Sequence, residues 1–200
     1  MSAAEVASRP EQRSDAEVIA ESQDEPEAFA ALFDRHWATL HRYVVRRLGP
    51  DVAEDLVGDA FLVAFERRDR FDTGRADARP WLFGILTKLI SRHRRSEAAR
   101  YRMMERSSHE TTAEEPSDQV ASTVSALAVR PALARALAGL RAGDRDVLLL
   151  AGWADLSYEE ISVALSIPVG TVRSRLHRAR RKMRAALGNN NPLLVGEMAS

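Results

Sequence analysis

The chain has 200 residues, 45% hydrophobic and 29% charged, the composition of an ordinary soluble globular protein with one large or two small domains. It has no cysteine, which excludes a disulfide framework, a thiolate metal site and a cysteine nucleophile. The net charge is zero, but residues 1–27 carry eight acids against two bases while residues 169–187 carry seven bases and no acid, a split that suggests a basic nucleic-acid surface and an acidic tail.

Residues 1–26 are polar and acidic and read as a mobile tail with a short helix near Ala16–Glu21. From Glu27 a helical period begins: Phe29, Leu32, Phe33, His36, Trp37, Leu40, Tyr43, Val44 and Leu48 recur at spacings of three and four. Gly49-Pro50 stops that helix. Asp51 is placed to cap a second one, which carries Ala53, Leu56, Val57, Ala60, Phe61, Ala64 and Phe65. Residues 69–79 read as a loop, and a third helix is expected over Pro80–Arg106, with proline suited to its first turn. Its first half is apolar (Trp81, Leu82, Phe83, Ile85, Leu86, Leu89, Ile90) and its second half basic. The composition of residues 107–127 is that of an acidic linker. Helices follow at 131–141, at 144–151 and twice within 157–187, and residues 188–200 read as a second tail.

No segment alternates with period two, so the fold class expected is all-α. Two small helical domains, 27–106 and 128–187, are joined by a flexible linker, and the C-terminal one holds a helix-turn-helix. No apolar run approaches the roughly 18 residues of a spanning helix, and no secretory signal is visible, so a cytoplasmic location without direct membrane contact is expected.

The most informative stretch is LSYEEISVALSIPVGTVRSRLHRARRKMR, residues 156–184. Ser157 and Glu160 make a capping box. Ile161 and Leu165 lie one turn apart on the inner face, Ser166-Ile167-Pro168 ends the helix, and Val172, Leu176, Ala179 and Met183 mark the inner face of the next. Thr171 is placed to give its hydroxyl and backbone N–H to a phosphate. Arg173, Ser174, His177 and Arg178 lie off the apolar face, where an arginine reaches guanine O6 and N7 with two bonds. Arg181, with Arg175, Arg180, Lys182 and Arg184, suits backbone phosphates. A solvated basic face is the bland reading of such a helix; the capping box, tight turn and absence of acids favour DNA.

On these residues, 139–184 resemble the C-terminal DNA-binding domain of bacterial sigma factors. The upstream segments are similar in the same order: FAALFDRHWATLHRYVVRRL (29–48) to the first helix of the sigma core domain, AEDLVGDAFLVAF (53–65) to the polymerase-binding helix, and RPWLFGILTKLISRHRR (79–95) to the segment that opens and reads the −10 element. With only two domains, the chain resembles the extracytoplasmic-function (group 4) class. The resemblance implies a promoter-specificity factor, not an enzyme, with core RNA polymerase, promoter DNA and an anti-sigma factor as partners and no cofactor. It assigns Thr171, Arg173, Ser174, His177, Arg178 and Arg181 to the −35 element. Asp55, Leu56, Asp59 and Phe61 fall to polymerase. Arg75, Arg79, Lys88, Arg92, His93, Arg94 and Arg95 fall to the −10 strand, where charge tracks phosphate; Trp81 is better read as core.

Four positions depart from the family pattern. Gly58 replaces a glutamine, costing about 1 kcal/mol of helix propensity and a polar contact. Lys88 replaces an asparagine that would hydrogen-bond a flipped base, and it offers donors only. Ser162 replaces alanine, and Ser166 a turn glycine where the backbone is left-handed.

Two rival readings stand beside this one. One is a stand-alone helix-turn-helix regulator binding two half-sites as a dimer; the other is a sigma-like interaction protein that has lost promoter melting. His36 and His41, five apart, do not share a helix face for a metal, and no phosphate-loop or nucleophile motif occurs. The acids of residues 1–27 and of the linker are candidates to shield the basic faces. The two domains could pack together or tumble separately.

Overall fold

A short helix near the N-terminus organises more of this molecule than its length suggests. The computed structural model describes residues 13–108 and 131–187, and among them every regular element is helical. In chain order these are α1 (Asp15–Glu21), α2 (Ala30–Leu48), α3 (Ala53–Glu66), α4 (Arg79–Ser108), α5 (Pro131–Ala138), α6 (Ala142–Trp153), α7 (Tyr158–Leu165) and α8 (Val169–Leu187). Single 3₁₀ turns precede α2 and follow α3. The 188–200 tail, residues 1–12 and most of the acidic linker lie outside the described residues.

Residues 13–26 are not a mobile tail. Ser14 caps α1, its hydroxyl accepting from the Glu17 amide at 3.2 Å while the Glu17 carboxylate accepts from the Ser14 amide at 2.6 Å. Val18 and Ile19 are fully buried against the helices that follow. A seven-residue helix has no stability of its own and shows too little periodicity to be read as a docked element; tertiary burial holds it. Its acids have partners within the fold. Asp15 pairs with Arg35 and His36, Glu17 completes the cap, and Glu21 pairs with Arg13.

Helices α2, α3 and α4 pack around Leu32, Leu40, Val44, Val57, Leu82 and Leu86, all fully buried. Tyr43 meets Phe83 edge to face at 5.2 Å. Gly49 ends α2 with φ 100°, a conformation that glycine takes without strain, and Pro50 keeps the helix from resuming. In the second half, α8 lies across α5 and α6, burying Leu137, Val147, Leu150, Val172, Leu176 and Met183.

The two halves are packed on each other. The α4 backbone at Gly84 approaches α7 so closely that a Cβ there would stand 2.4 Å from the Ala164 carbonyl oxygen. Beside this contact Arg47, 2% exposed, is paired with Asp146 of the other half and donates to the Tyr43 hydroxyl at 2.8 Å.

Two outcomes follow. Gly84→Ala overpacks a backbone-on-backbone contact, at a cost of roughly 1–3 kcal/mol, and should separate the halves. Small-angle scattering then shows a larger radius of gyration at unchanged helix content. The second concerns acid. Burial would raise the Asp15 carboxyl, but hydrogen bonds from His36, the Ala78 amide and Arg35 outweigh it and hold the pKa at about 2. A depressed carboxylate stabilises above its unfolded pKa, and that contribution, about 2 kcal/mol, is lost as pH falls from about 4 towards 2. Asp15→Asn should flatten that part of the acid-unfolding curve followed by circular dichroism.

Candidate nucleic-acid interface

The helix-turn-helix is built from side chains that fix its turn. Ser157 accepts from the Glu160 amide at 3.2 Å and its own amide donates to the Glu160 carboxylate at 2.7 Å. Ser166 sits in the left-handed region at φ 54°, ψ 47°, where a glycine would be unstrained. Ser162 compensates: its hydroxyl donates to the Ile167 carbonyl at 2.5 Å, and its carbonyl accepts from the Ile167 amide at 3.0 Å. The Pro168 carbonyl then accepts from the amides of Thr171 at 2.8 Å and Val172 at 3.1 Å and starts α8. The Thr171 N–H is therefore spent within the turn, and only its hydroxyl remains for a phosphate.

With Val172, Leu176, Ala179 and Met183 buried, the 3.6-residue period places Arg173, Ser174, His177 and Arg181 on one exposed arc of α8. Arg178 is not part of it. Its guanidinium makes two bonds to Asp144 of α6, at 2.9 and 3.3 Å, and holds α8 to α6.

The seven candidates for the −10 strand divide in the same way. Lys88, Arg92 and Arg95 lie on one exposed face of α4 and make no hydrogen bond or ion pair among the described residues. Lys88 and Arg95 border a cavity of about 240 Å³ between the halves, with Thr87, Ser91 and Asp146. His93 pairs with Glu97 at 3.5 Å, and Arg75, exposed, bonds Asp72 at 3.1 Å. Arg79 and Arg94 are turned inward. Arg79 donates to the Ala154 carbonyl of the other half at 2.7 Å, and Arg94 to the Arg47 carbonyl at 3.5 Å. Burial, then the charges of Arg145 and Arg47, push the Arg94 guanidinium down to about 10.

On α3, Asp55 and Asp59 are exposed one turn apart, whereas Leu56 and Phe61 are buried and serve the core. The exposed apolar group on the acidic face is Leu62, 57% exposed, and beside it on α2 Phe33 is 39% exposed. Phe33 stacks on Trp37 at 4.7 Å and meets Phe61 at 4.9 Å. Sequence reasoning missed Leu62 and placed Phe33 only within the helical period of α2. The available signal was spacing: 55, 59 and 62 share one face, and 33, 37 and 41 form a stripe apart from the core stripe. Gly58 is half-buried in this helix with open space where a Cβ would stand, so a larger side chain would fit.

Comparison with known proteins matches the Sigma-70 region 2 model over residues 32–100 and the Sigma-70, region 4 model over residues 130–183. The chain is 35% identical over 158 residues to the ECF RNA polymerase sigma factor SigL of Mycobacterium tuberculosis, covering 78% of this chain and 87% of that one. It is 31% identical over 172 residues to SigW of Bacillus subtilis, covering 80% and 89%. The chain belongs to the ECF RNA polymerase sigma factors.

Solved structures agree on the architecture. The fold matches CnrH, solved in complex with the cytosolic domain of CnrY, with TM-score 0.61 and 26% identity over 88% of this chain and 99% of that one. It also matches RpoE of Bartonella quintana, solved with the anti-sigma factor NepR, with TM-score 0.53 and 26% identity over 82% and 98%. In this sigma factor α2 to α4 fall within region 2 except at their outer ends, and α7 and most of α8 within region 4. Among its described residues no helix is long and apolar enough to cross a membrane.

The strained turn supplies a test of the region 4 geometry. Ser166→Gly removes a left-handed non-glycine residue and should raise stability by about 1 kcal/mol, read as a higher thermal midpoint with Ser162 intact.

Proposed function

We propose that this promoter-specificity factor reads the −35 element with the Arg173, Ser174, His177 and Arg181 arc of α8. In the same reading it holds the −10 strand with Lys88, Arg92 and Arg95 of α4, and docks on core RNA polymerase through Asp55, Asp59, Leu62 and Phe33. The observation that carries this reading is the coexistence of three separate exposed faces, two basic and one acidic-apolar, on one small helical frame. A stand-alone regulator needs only the first.

In this reading the protein works in the cytoplasm with no cofactor and no catalytic chemistry of its own. An anti-sigma protein is a further partner, supported by the complex in which the similar RpoE was solved. The packed arrangement holds Arg79 on the Ala154 carbonyl and sets Lys88 and Arg95 at the rim of the interdomain cavity. Promoter engagement therefore uses a more open arrangement, in which one bound domain raises the effective concentration of the other at its element.

Run-off transcription with core RNA polymerase and fragmented genomic DNA from the source tests this. Discrete transcripts that depend on the protein are expected. Arg173→Ala should lower output from −35-dependent promoters by roughly tenfold, the range of one bidentate arginine–guanine contact. Lys88→Asn should change the preferred −10 bases. Core binding without transcripts would defeat the melting role, and tight duplex binding without polymerase would favour a regulator.

A further inference from the structure

The connection between α3 and α4, residues 67–78, is clamped at both ends by α1. At its start the Arg68 guanidinium donates to the Ser22 carbonyl at 3.0 Å, just past the end of α1. At its far end Asp15, the first residue of α1, does most of the work. One carboxylate oxygen accepts from the Ala78 amide at 2.9 Å and lies 2.7 Å from His36 Nε2; the other accepts from Arg35 at 3.0 Å. The Asp15 amide in turn donates to the Ala76 carbonyl at 3.1 Å. Between these two anchored residues Asp77 accepts from the Arg79 amide at 2.8 Å and so marks where α4 begins.

Ligand atoms of Asp15, His36 and Asp77 lie within 4.8 Å of one another, a spacing that would suit a small cation. Each carboxylate already has donors from the protein, however, and Arg35 supplies the positive charge, so the cluster is a hydrogen-bond junction. An ionised carboxylate at 8% side-chain exposure is a costly way to dock a helix whose Val18 and Ile19 already bury fully. An apolar residue would dock α1 as well but could not hold the loop backbone. The outer loop, by contrast, is exposed and organised by Asp72, which accepts from the Gly74 amide and the Arg75 guanidinium, both at 3.1 Å.

We propose that Asp15 is a positioning residue for promoter selectivity: by stitching Ala76 and Ala78 to α1 and α2, it fixes the loop that carries Arg75, and the α4 start whose Arg79 leaves the Ala154 carbonyl in the open arrangement, for contact with the −10 strand. The inference rests on the reading of residues 75–95 as the −10-facing segment. It places a determinant of base choice in the N-terminal helix, which itself faces no DNA in that reading.

The test uses full-length holoenzyme and a promoter recovered by the run-off experiment, with single-base changes in its −10 or −35 element. The readout is the ratio of transcript from matched to altered promoter, which does not depend on the fraction of active protein. For the unaltered chain a −10 ratio of about tenfold is expected, falling to below about threefold in Asp15→Ala, with the −35 ratio and core affinity within about twofold. A role confined to stability lowers output from every promoter equally; an unchanged −10 ratio overturns the proposal. Should Asp15→Ala fail to assemble, Asp15→Leu, which fills the same space but offers the Ala78 amide no acceptor, decides: a narrowed ratio supports the proposal and an unchanged one overturns it. Arg75→Ala and Arg79→Ala separate the layers. If either narrows the −10 ratio while the Asp15 variants do not, only the positioning role fails. If none of these variants moves it, Arg75 and Arg79 take no part in −10 selection and the positioning role fails with them.

Discussion

Arg47 carries its charge at the joint between the two halves, almost without exposure, and the acid paired with it comes from the other half. Asp146 stands opposite it, Tyr43 takes one of its donors, and Arg94 and Arg145 crowd the same space. Taking two ions out of water is expensive, and removing one partner of such a pair typically costs 3–5 kcal/mol. The relative placement of the halves depends on this pairing and on the close passage of α4 over α7 at Gly84. Burial first, and then the neighbouring arginine charges, lower the Arg94 and Arg145 guanidinium pKa values, so desolvation and like-charge repulsion oppose the Arg47–Asp146 attraction at this joint.

From that joint the site residues sort by what they touch. Helix periodicity selects the exposed arc of α8 because Val172, Leu176 and Met183 must face α6 and α5. The same geometry turns Arg178 onto Asp144 and makes it a support. On α4 the period leaves Lys88, Arg92 and Arg95 outward, while packing of the halves draws Arg79 and Arg94 inward. Arginine is suited to both roles, since its planar fork bonds a carbonyl or carboxylate within the protein as readily as a phosphate outside it.

The turn of the helix-turn-helix shows a local departure being absorbed. Ser166 occupies a left-handed position that glycine would take without strain, and Ser162, the other departure in this motif, closes the turn with a hydroxyl that alanine lacks. The two serines act across the same turn: Ser166 introduces strain and Ser162 adds a hydrogen bond.

The chain by itself determined the helical class, the boundaries of α2, α3 and α4 to within a few residues, the capping box at Ser157 and the buried stripe of α8. Each of these is a local matter, set by period, caps and stop residues close in sequence. It also carried the family, because the strings of regions 2 and 4 are local too. Tertiary structure alone decided that Asp15–Glu21 is a docked helix, that Leu56 and Phe61 are core while Leu62 and Phe33 are exposed, that Arg79 and Arg94 are turned inward, and that Arg178 is paired with Asp144. The physical reason is the same in each case. Whether an apolar side chain is buried or a charge is paired depends on partners far away in sequence, such as Asp146 for Arg47 or Ala78 for Asp15, and no period or spacing within one helix records them.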